Sequence, residues 1–328
     1  MPATKHMITD VHAHYQPRAL NAFMGRFGRE TVVPRVPWTD QGEHLDERMR
    51  LMEEARVRMQ ILSPGTAHYF EDRANACEAA QIINDTFATV IEKYPSKLAA
   101  YISLPLPHVE ASLRELERAA RLPGMVGVTL HCSILGKSVA AAEFDSIYEE
   151  LNRRSAILFL HPCRNGICSA LINDYQLAEC IGTSVEDSLA VLHMIVRGIP
   201  QRYPNIRVIA PHLGGMLPML LERLDNQLPK VHADLVEPPS ATARRFWYDT
   251  VSHGSPAALR CACTAFGAER LLPGSDFPFL LFHEEYTRTF TYVEAAGLSD
   301  LNVERILRRN ADTLFGAALA NPVAMRVP

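Results

Sequence analysis

Residues 7–14, Met7-Ile8-Thr9-Asp10-Val11-His12-Ala13-His14, start as a β-rich apolar run and finish in two histidines. A run this short, bounded by polar residues, predicts a strand at Met7 to Val11. Runs of the same kind recur at Met59 to Ser63, Leu98 to Leu104, Val126 to Leu130, Ala156 to Leu160, Ile206 to Ala210, Phe246 to Val251 and Arg270 to Pro273. Amphipathic stretches separate them at about 45–57, 73–94, 108–121, 143–154, 184–199, 212–227 and 255–266, and a helical block closes the chain at about 284–317. Eight strand-then-helix units predict an α/β protein built as a (β/α)8 TIM-type barrel. A doubly wound sheet also alternates strand and helix, but no Gly-x-Gly-x-x-Gly follows the first strand, which argues against it. Residues 1–328 read as a single barrel domain, with 16–44 as a lid-like insertion after the first strand, where Pro17, Pro34 and Pro37 lie among Phe23, Phe27 and Trp38.

Composition narrows the function classes. With 328 residues, 48% hydrophobic and 21% charged, the chain can bury a core without staples. Lys and Arg number 33 against 37 Asp and Glu, a net charge of −4, so there is no basic surface to hold nucleic acid. No window reaches the ~18 uninterrupted apolar residues of a membrane span. The cysteines, Cys77, Cys132, Cys163, Cys168, Cys180, Cys261 and Cys263, are odd in number and follow no paired framework. Together with a start that lacks the apolar core of a leader, they lead us to expect a reducing cytoplasm.

In such a barrel the chemistry sits at the C-terminal ends of the strands. The first strand ends in Asp10-Val11-His12-Ala13-His14, and alternation places Asp10, His12 and His14 on one side. The fifth runs into His161-Pro162, the sixth into Pro211-His212-Leu213-Gly214-Gly215, and the eighth into Gly274-Ser275-Asp276. Any one of these is more simply a solvated loop residue. Their recurrence at the same end of successive strands makes one site, and three imidazoles with a carboxylate suit zinc or another borderline divalent ion.

The chain resembles the amidohydrolase superfamily, and within it the amidohydrolase-related branch that includes 2-amino-3-carboxymuconate-semialdehyde decarboxylase. The resemblance spans about Ile8 to Phe315 and is carried by Asp10-Val11-His12-Ala13-His14, Phe159-Leu160-His161-Pro162, His212-Leu213-Gly214-Gly215 and Gly274-Ser275-Asp276-Phe277-Pro278-Phe279. It implies that His12, His14, His161 and Asp276 bind one divalent metal ion, zinc with manganese as the alternative. It also implies that His212 is the acid/base, that Asp276 shares in the chemistry, and that Arg48 and Arg223 bind the substrate carboxylate. Arg223 falls where the branch offers an arginine across a dimer interface, so a homodimer or higher assembly is expected. Two departures limit the transfer. Cys163-Arg164-Asn165-Gly166-Ile167-Cys168 replaces the tryptophan-bearing wall, and Leu213 replaces a glycine. The fourth strand ends in Thr129-Leu130-His131 without a bridging lysine, which implies a mononuclear site.

These readings lead to a metal-dependent, non-oxidative decarboxylase of a small aromatic or unsaturated carboxylic acid. A hydrolase or hydratase could use the same groups on a lactone, amide or activated alkene. A barrel that keeps the metal only for structure is a third possibility, disfavoured because His212 adds an acid/base beside an incomplete coordination shell. Cys163, Cys168 and the Cys261-Ala262-Cys263 pair read as pocket or core thiols. Tyr175, Asp249 and His253 are lesser candidates, with Asp249 and His253 placed to support the metal site from behind.

Overall fold

The computed structural model describes residues 4–29, 38–40, 42–163 and 170–320. All eight expected strands are present. They are β1 Ile8–His14, β2 Val57–Ser63, β3 Leu98–Ser103 and β4 Met125–His131, then, after a small hairpin of β5 Ser133–Ile134 and β6 Lys137–Ser138, β7 Ile157–His161, β8 Arg207–Ala210, β9 Trp247–Asp249 and β10 Leu271–Leu272. The eight long-range partners form one parallel sheet in the order β1-β2-β3-β4-β7-β8-β9-β10. Closure comes from the segment that follows β10. Val11 N–H donates to the Pro273 carbonyl at 2.9 Å, His14 N–H to that of Phe277 at 2.6 Å, and Ala13 bridges Phe277 in parallel.

Two cores follow from the period-2 alternation of the strands. Val11, Ile61, Ala99, Tyr101, Val126, Phe159, Ile209 and Leu272 pack with one another, with Tyr101 and Phe159 stacked at 4.9 Å. The C-terminal helix Asn310–Ala320 adds Ala311, Leu314 and Phe315 to this cluster. Arg58, at the start of β2, pairs with Asp312, and Arg207, at the start of β8, donates to the Leu314 carbonyl at 3.4 Å. These contacts place the helix at the N-terminal end of the barrel, leaving the C-terminal end open for chemistry. The second core joins the outer faces of the strands to the surrounding helices through residues such as Met52, Phe87, Leu116, Leu151 and Phe290.

Where the structure departs from the spacing, the cause is local backbone chemistry. The helix expected at 212–227 begins only at Leu217, because His212, Leu213, Gly214 and Gly215 all hold positive φ. The block at 284–317 is the helix Arg288–Glu294 and then one continuous helical run, Asp300–Glu304, the π-turn Arg305–Arg309 and Asn310–Ala320. It breaks where Gly297 turns left-handed at φ +74° and where Ser299 caps the next helix by accepting from Asn302 N–H. Of the insertion at 16–44, the described part contains the helix Arg18–Gly25, whose Phe23 packs on Phe70, and a buried Trp38. Pro34 and Pro37 lie outside the described residues.

Phe315 is fully buried at the closed end of the barrel. Phe315→Ala should lower the unfolding free energy by about 3–5 kcal/mol in urea titration, the usual cost of emptying a core aromatic site, while leaving metal stoichiometry unchanged.

Candidate active site

Four side chains from three strand ends converge at the open end. His12 and His14 lie on β1, His161 ends β7, and Asp276 follows β10. One ligand atom from each lies within 4.8 Å of all the others. His12 Nε2 and His14 Nε2 are 3.0 Å apart, and Asp276 Oδ1 is 3.0 Å from the second and 3.5 Å from the first. Two nitrogens held about 2.1 Å from one ion, at angles of about 90–109°, stand roughly 3.0–3.4 Å apart.

The hydrogen bonds behind the rings set their tautomers. His12 Nδ1 faces Asp249 Oδ2 at 2.7 Å, and a carboxylate can only accept, so the proton is on Nδ1. His14 Nδ1 faces Ser63 Oγ at 3.0 Å, while the Ser63 hydroxyl also reaches the Ala13 carbonyl at 3.4 Å; spending its proton there leaves it to accept from Nδ1–H. Both Nε2 atoms are then bare lone pairs pointing at each other inside a site where both rings are fully buried. Such an arrangement is repulsive unless a cation sits between them, so the residues present fit a divalent ion. Burial lowers the pKa of His14, and lowers that of His161 well below the usual imidazole value with help from His14 and His12. Both are therefore neutral ligands near neutral pH. Burial acts to raise the Asp276 pKa, but the surrounding imidazoles of His14, His212 and His12 outweigh it and hold the carboxyl well below its usual range.

Asp10 does not share this cluster, contrary to strict alternation. The register of β1 against β2 slips between Asp10 and Ala13, so the residues on either side of the slip no longer alternate as an ideal strand would. Its carboxylate accepts instead from Ser275 Oγ at 2.6 Å, Tyr286 Oη at 2.8 Å and Gln60 Nε2 at 3.2 Å. Burial pushes its pKa up to about 6.

His212 stands beside the cluster, its ring centroid 5.2 Å from that of His12 and its Nε2 3.9 Å from Asp276 Oδ2. Its Nδ1 faces Asp187 Oδ2 at 2.8 Å, and its N–H donates to Asp249 Oδ1 at 2.9 Å. Burial opposes the charged ring, but Asp187 and then Asp276 overcome it and raise the pKa well above the usual value. Asp187 itself is pushed up to about 6 by burial, against the pull of His212. The backbone carries strain here, with His212 at φ +52° and Leu213 at φ +55°. Gly215 follows at φ +64°, where a Cβ would meet the Ser184 carbonyl oxygen at 2.1 Å. Only glycine fits that approach of the turn to the helix Thr183–Val196.

Asp187 escaped the sequence reading because strand ends were searched and it lies on a helix. A signal was present: Asp187 is in helical register with Val191 and Met194, which makes it an acid on an apolar stripe. Ser63 carried a weaker signal, as the last residue of β2.

The cavity above the cluster has a volume of about 1350 Å³. His161, His212 and Asp276 line it, together with Leu213, Phe279, Met219 and Cys163. Trp38 supports this wall from the insertion, its ring 4.8 Å from Phe279, which in turn packs on His14 at 5.3 Å. Arg48 does not line it. The guanidinium is fully buried, donates to Gln60 Oε1 at 2.8 Å and to the His14 carbonyl at 2.7 Å, and lies over the Phe277 ring at 4.4 Å. Arg223 is exposed on the helix Leu217–Val231. His131 is buried behind the cavity wall, its pKa lowered to about 4 by burial, and neither ring nitrogen has a partner among the described residues. Tyr175 is 94% exposed and not part of the lining. Cys163 bonds to Glu186 and Ser133, while Cys168 lies outside the described residues.

Asp249 is the carboxylate shared by this arrangement, accepting from His12, from His212 N–H and from Val251 N–H at 3.0 Å. Asp249→Asn should fold yet bind its metal about 10–100-fold more weakly, as competition with a chelator would measure, because the amide no longer enforces the Nδ1 proton of His12.

Known proteins resemble this chain in sequence and in fold. A family model described as Amidohydrolase matches residues 9–317. The 2-amino-3-carboxymuconate-6-semialdehyde decarboxylase of Dictyostelium discoideum is 30% identical over 243 residues, covering 72% of this chain and 67% of that protein. The 6-methylsalicylic acid decarboxylase of Penicillium expansum is 29% identical over 302 residues, covering 89% and 90%. Among solved structures, a 5-carboxyvanillate decarboxylase from Novosphingobium aromaticivorans with bound manganese has a TM-score of 0.83 and 20% identity, covering 95% of this chain and 97% of that one, a likeness of fold. A family model matched through all eight barrel strands, with a relative 30% identical over most of the chain, makes this protein a member of the amidohydrolase family.

Proposed function

We propose that this protein is a metal-dependent carboxy-lyase that removes CO2, without oxidation, from a small aromatic or unsaturated carboxylic acid. The observation that carries the reading is His212. It is held protonated by Asp187 and faces a cavity lined by His161 and Asp276, two members of the cluster that His12 and His14 complete beneath them. The two relatives named as decarboxylases of carboxymuconate semialdehyde and 6-methylsalicylate support the reaction class.

When bound, the divalent ion supplies an electrophilic anchor for the acid's oxygens. His212 delivers a proton to the carbon that bears the carboxylate. The electron pair of the C–C bond then returns to the conjugated system as CO2 departs, so the carboxylate and the one proton from His212 become a C–H bond and CO2. Asp187 keeps the proton-bearing ring oriented by accepting from Nδ1–H, and Nε2 is left to face the substrate. Three imidazoles and a carboxylate suit zinc, while manganese is the ion in the solved carboxyvanillate decarboxylase. We assign Arg48 to bracing the His14 carbonyl rather than to holding substrate. Free thiols at the described cysteines favour a reducing cytoplasm, and no helix among the described residues is long and apolar enough to cross a membrane.

No arginine or lysine is among the described residues that line the cavity. We assign the carboxylate clamp to Arg223 of a second copy, where the family resemblance places a substrate arginine. Met219 lines the cavity while 72% exposed, and Arg223 follows it by four residues on the same helix face. A two-fold packing of that face would bring each Arg223 to its neighbour's cavity.

His212→Asn should keep fold and metal but lose turnover by about 10²–10⁴-fold, the usual contribution of a positioned acid/base. The assay is headspace CO2 and product mass over a panel of hydroxybenzoic and muconate-type acids. A gain of one water with no CO2 from the wild type would replace decarboxylation by hydrolysis or hydration. Separately, Arg223→Ala and His212→Ala proteins, each inactive, should recover part of their activity when unfolded together and refolded as mixed dimers. No recovery in mixed dimers would remove Arg223 from the site.

A further inference from the structure

The cavity carries a second pair of imidazoles apart from the metal cluster. His253 and His283 both line it, with ring centroids 5.4 Å apart. Each stands on a loop that continues from a residue of the metal site. His253 lies four residues beyond Asp249, and His283 follows the turn Phe279–Phe282 that begins after Asp276. Both loops are pinned. Val251 N–H donates to Asp249, Ser252 Oγ to Tyr292 Oη at 3.0 Å, and His283 N–H to the Leu280 carbonyl at 2.8 Å. His253 is held at φ +49° and Gly254 at φ +64°, so the turn keeps a histidine where a glycine or asparagine would be unstrained.

Neither ring has a hydrogen-bond partner among the described residues, and both are exposed toward the cavity. The groups behind them are Glu284, paired with Arg288 at 3.3 Å and set against Gly254, so the background carries no net positive charge. Partial burial, and then His283, keep the His253 pKa below the usual value, with Asp276 acting in the opposite sense. An imidazole ring can offer both a donor and an acceptor, the pair that a hydroxyl group, itself donor and acceptor, can meet.

We propose that His253 and His283 form a recognition pole that hydrogen-bonds a hydroxyl substituent of the aromatic acid, and so select hydroxylated acids over unsubstituted ones. The assignment rests on the decarboxylase reading for the nature of the ligand.

Metal-loaded protein is titrated calorimetrically with benzoate and with 2-, 3- and 4-hydroxybenzoate, in the wild type, His253→Gly, His283→Ala and His253→Asn. The glycine variant removes the ring and tolerates the left-handed backbone, and the asparagine variant tolerates it while retaining a donor and an acceptor. In the wild type, at least one hydroxybenzoate should bind about tenfold more tightly than benzoate, the value of one hydrogen bond. That ratio should fall below about threefold in His253→Gly and in His283→Ala, and recover in part in His253→Asn. A wild type with no preference, including one that binds none of the acids, overturns the proposal, as does a preference that survives both deletions. CO2 release is followed in the same samples. Its absence counts against the decarboxylase reading alone, since the binding ratio requires no turnover.

Discussion

The carboxylate of Asp249 is the constraint on which the site depends. Fully buried at the end of a three-residue strand, it accepts from the His12 ring, from the backbone of His212 and from Val251 in its own loop. One anion thereby fixes the tautomer of His12, the position of His212 and the exit of the strand. Gly274 shows how closely this is packed, since a Cβ there would lie 2.9 Å from Asp249 Cβ and 3.0 Å from His12 Cβ. Burying such a carboxylate is favourable only when its acceptor capacity is filled, which explains why strands distant in sequence meet at this point.

Asp10, Asp187 and Asp249 are each fully buried, and Asp276 is nearly so. The first three have a defined set of donors. Asp10 ties β1 to Gln60, Ser275 and Tyr286, with Arg48 bracing the same strand, while Asp187 serves His212 and Asp276 faces the rings. The imidazole side is then left with bare nitrogens turned inward. An architecture that satisfies the carboxylates of Asp10, Asp187 and Asp249 from behind and leaves lone pairs in front is organised to hold a cation beside His212.

Much of this was legible in the sequence. The eight strands came from alternation of short β-rich runs with helical spacing, and the candidate site residues came from asking what ends each strand, while their division into metal ligands and His212 came from the family resemblance. What escaped had a physical cause in each case. The slip in β1 that removes Asp10 from the cluster depends on register with β2, which no single strand reveals. The late start of the helix after His212 depends on consecutive left-handed residues, two of them not glycine, which propensity disfavours and tertiary packing imposes. Arg48 reads as a surface residue of an amphipathic helix or as a substrate clamp, and its burial against Gln60 and the His14 carbonyl is a long-range fact. Asp187 is invisible to a search of strand ends because it reaches the site from a helix.

The central claim is that one divalent ion, held by His12, His14, His161 and Asp276, is required for CO2 release. Its most direct test strips the metal and titrates it back while CO2 release is followed. Activity that is absent in the stripped protein and saturates at one ion per chain agrees with the account; activity that persists without metal, or that saturates only at two ions per chain, contradicts it.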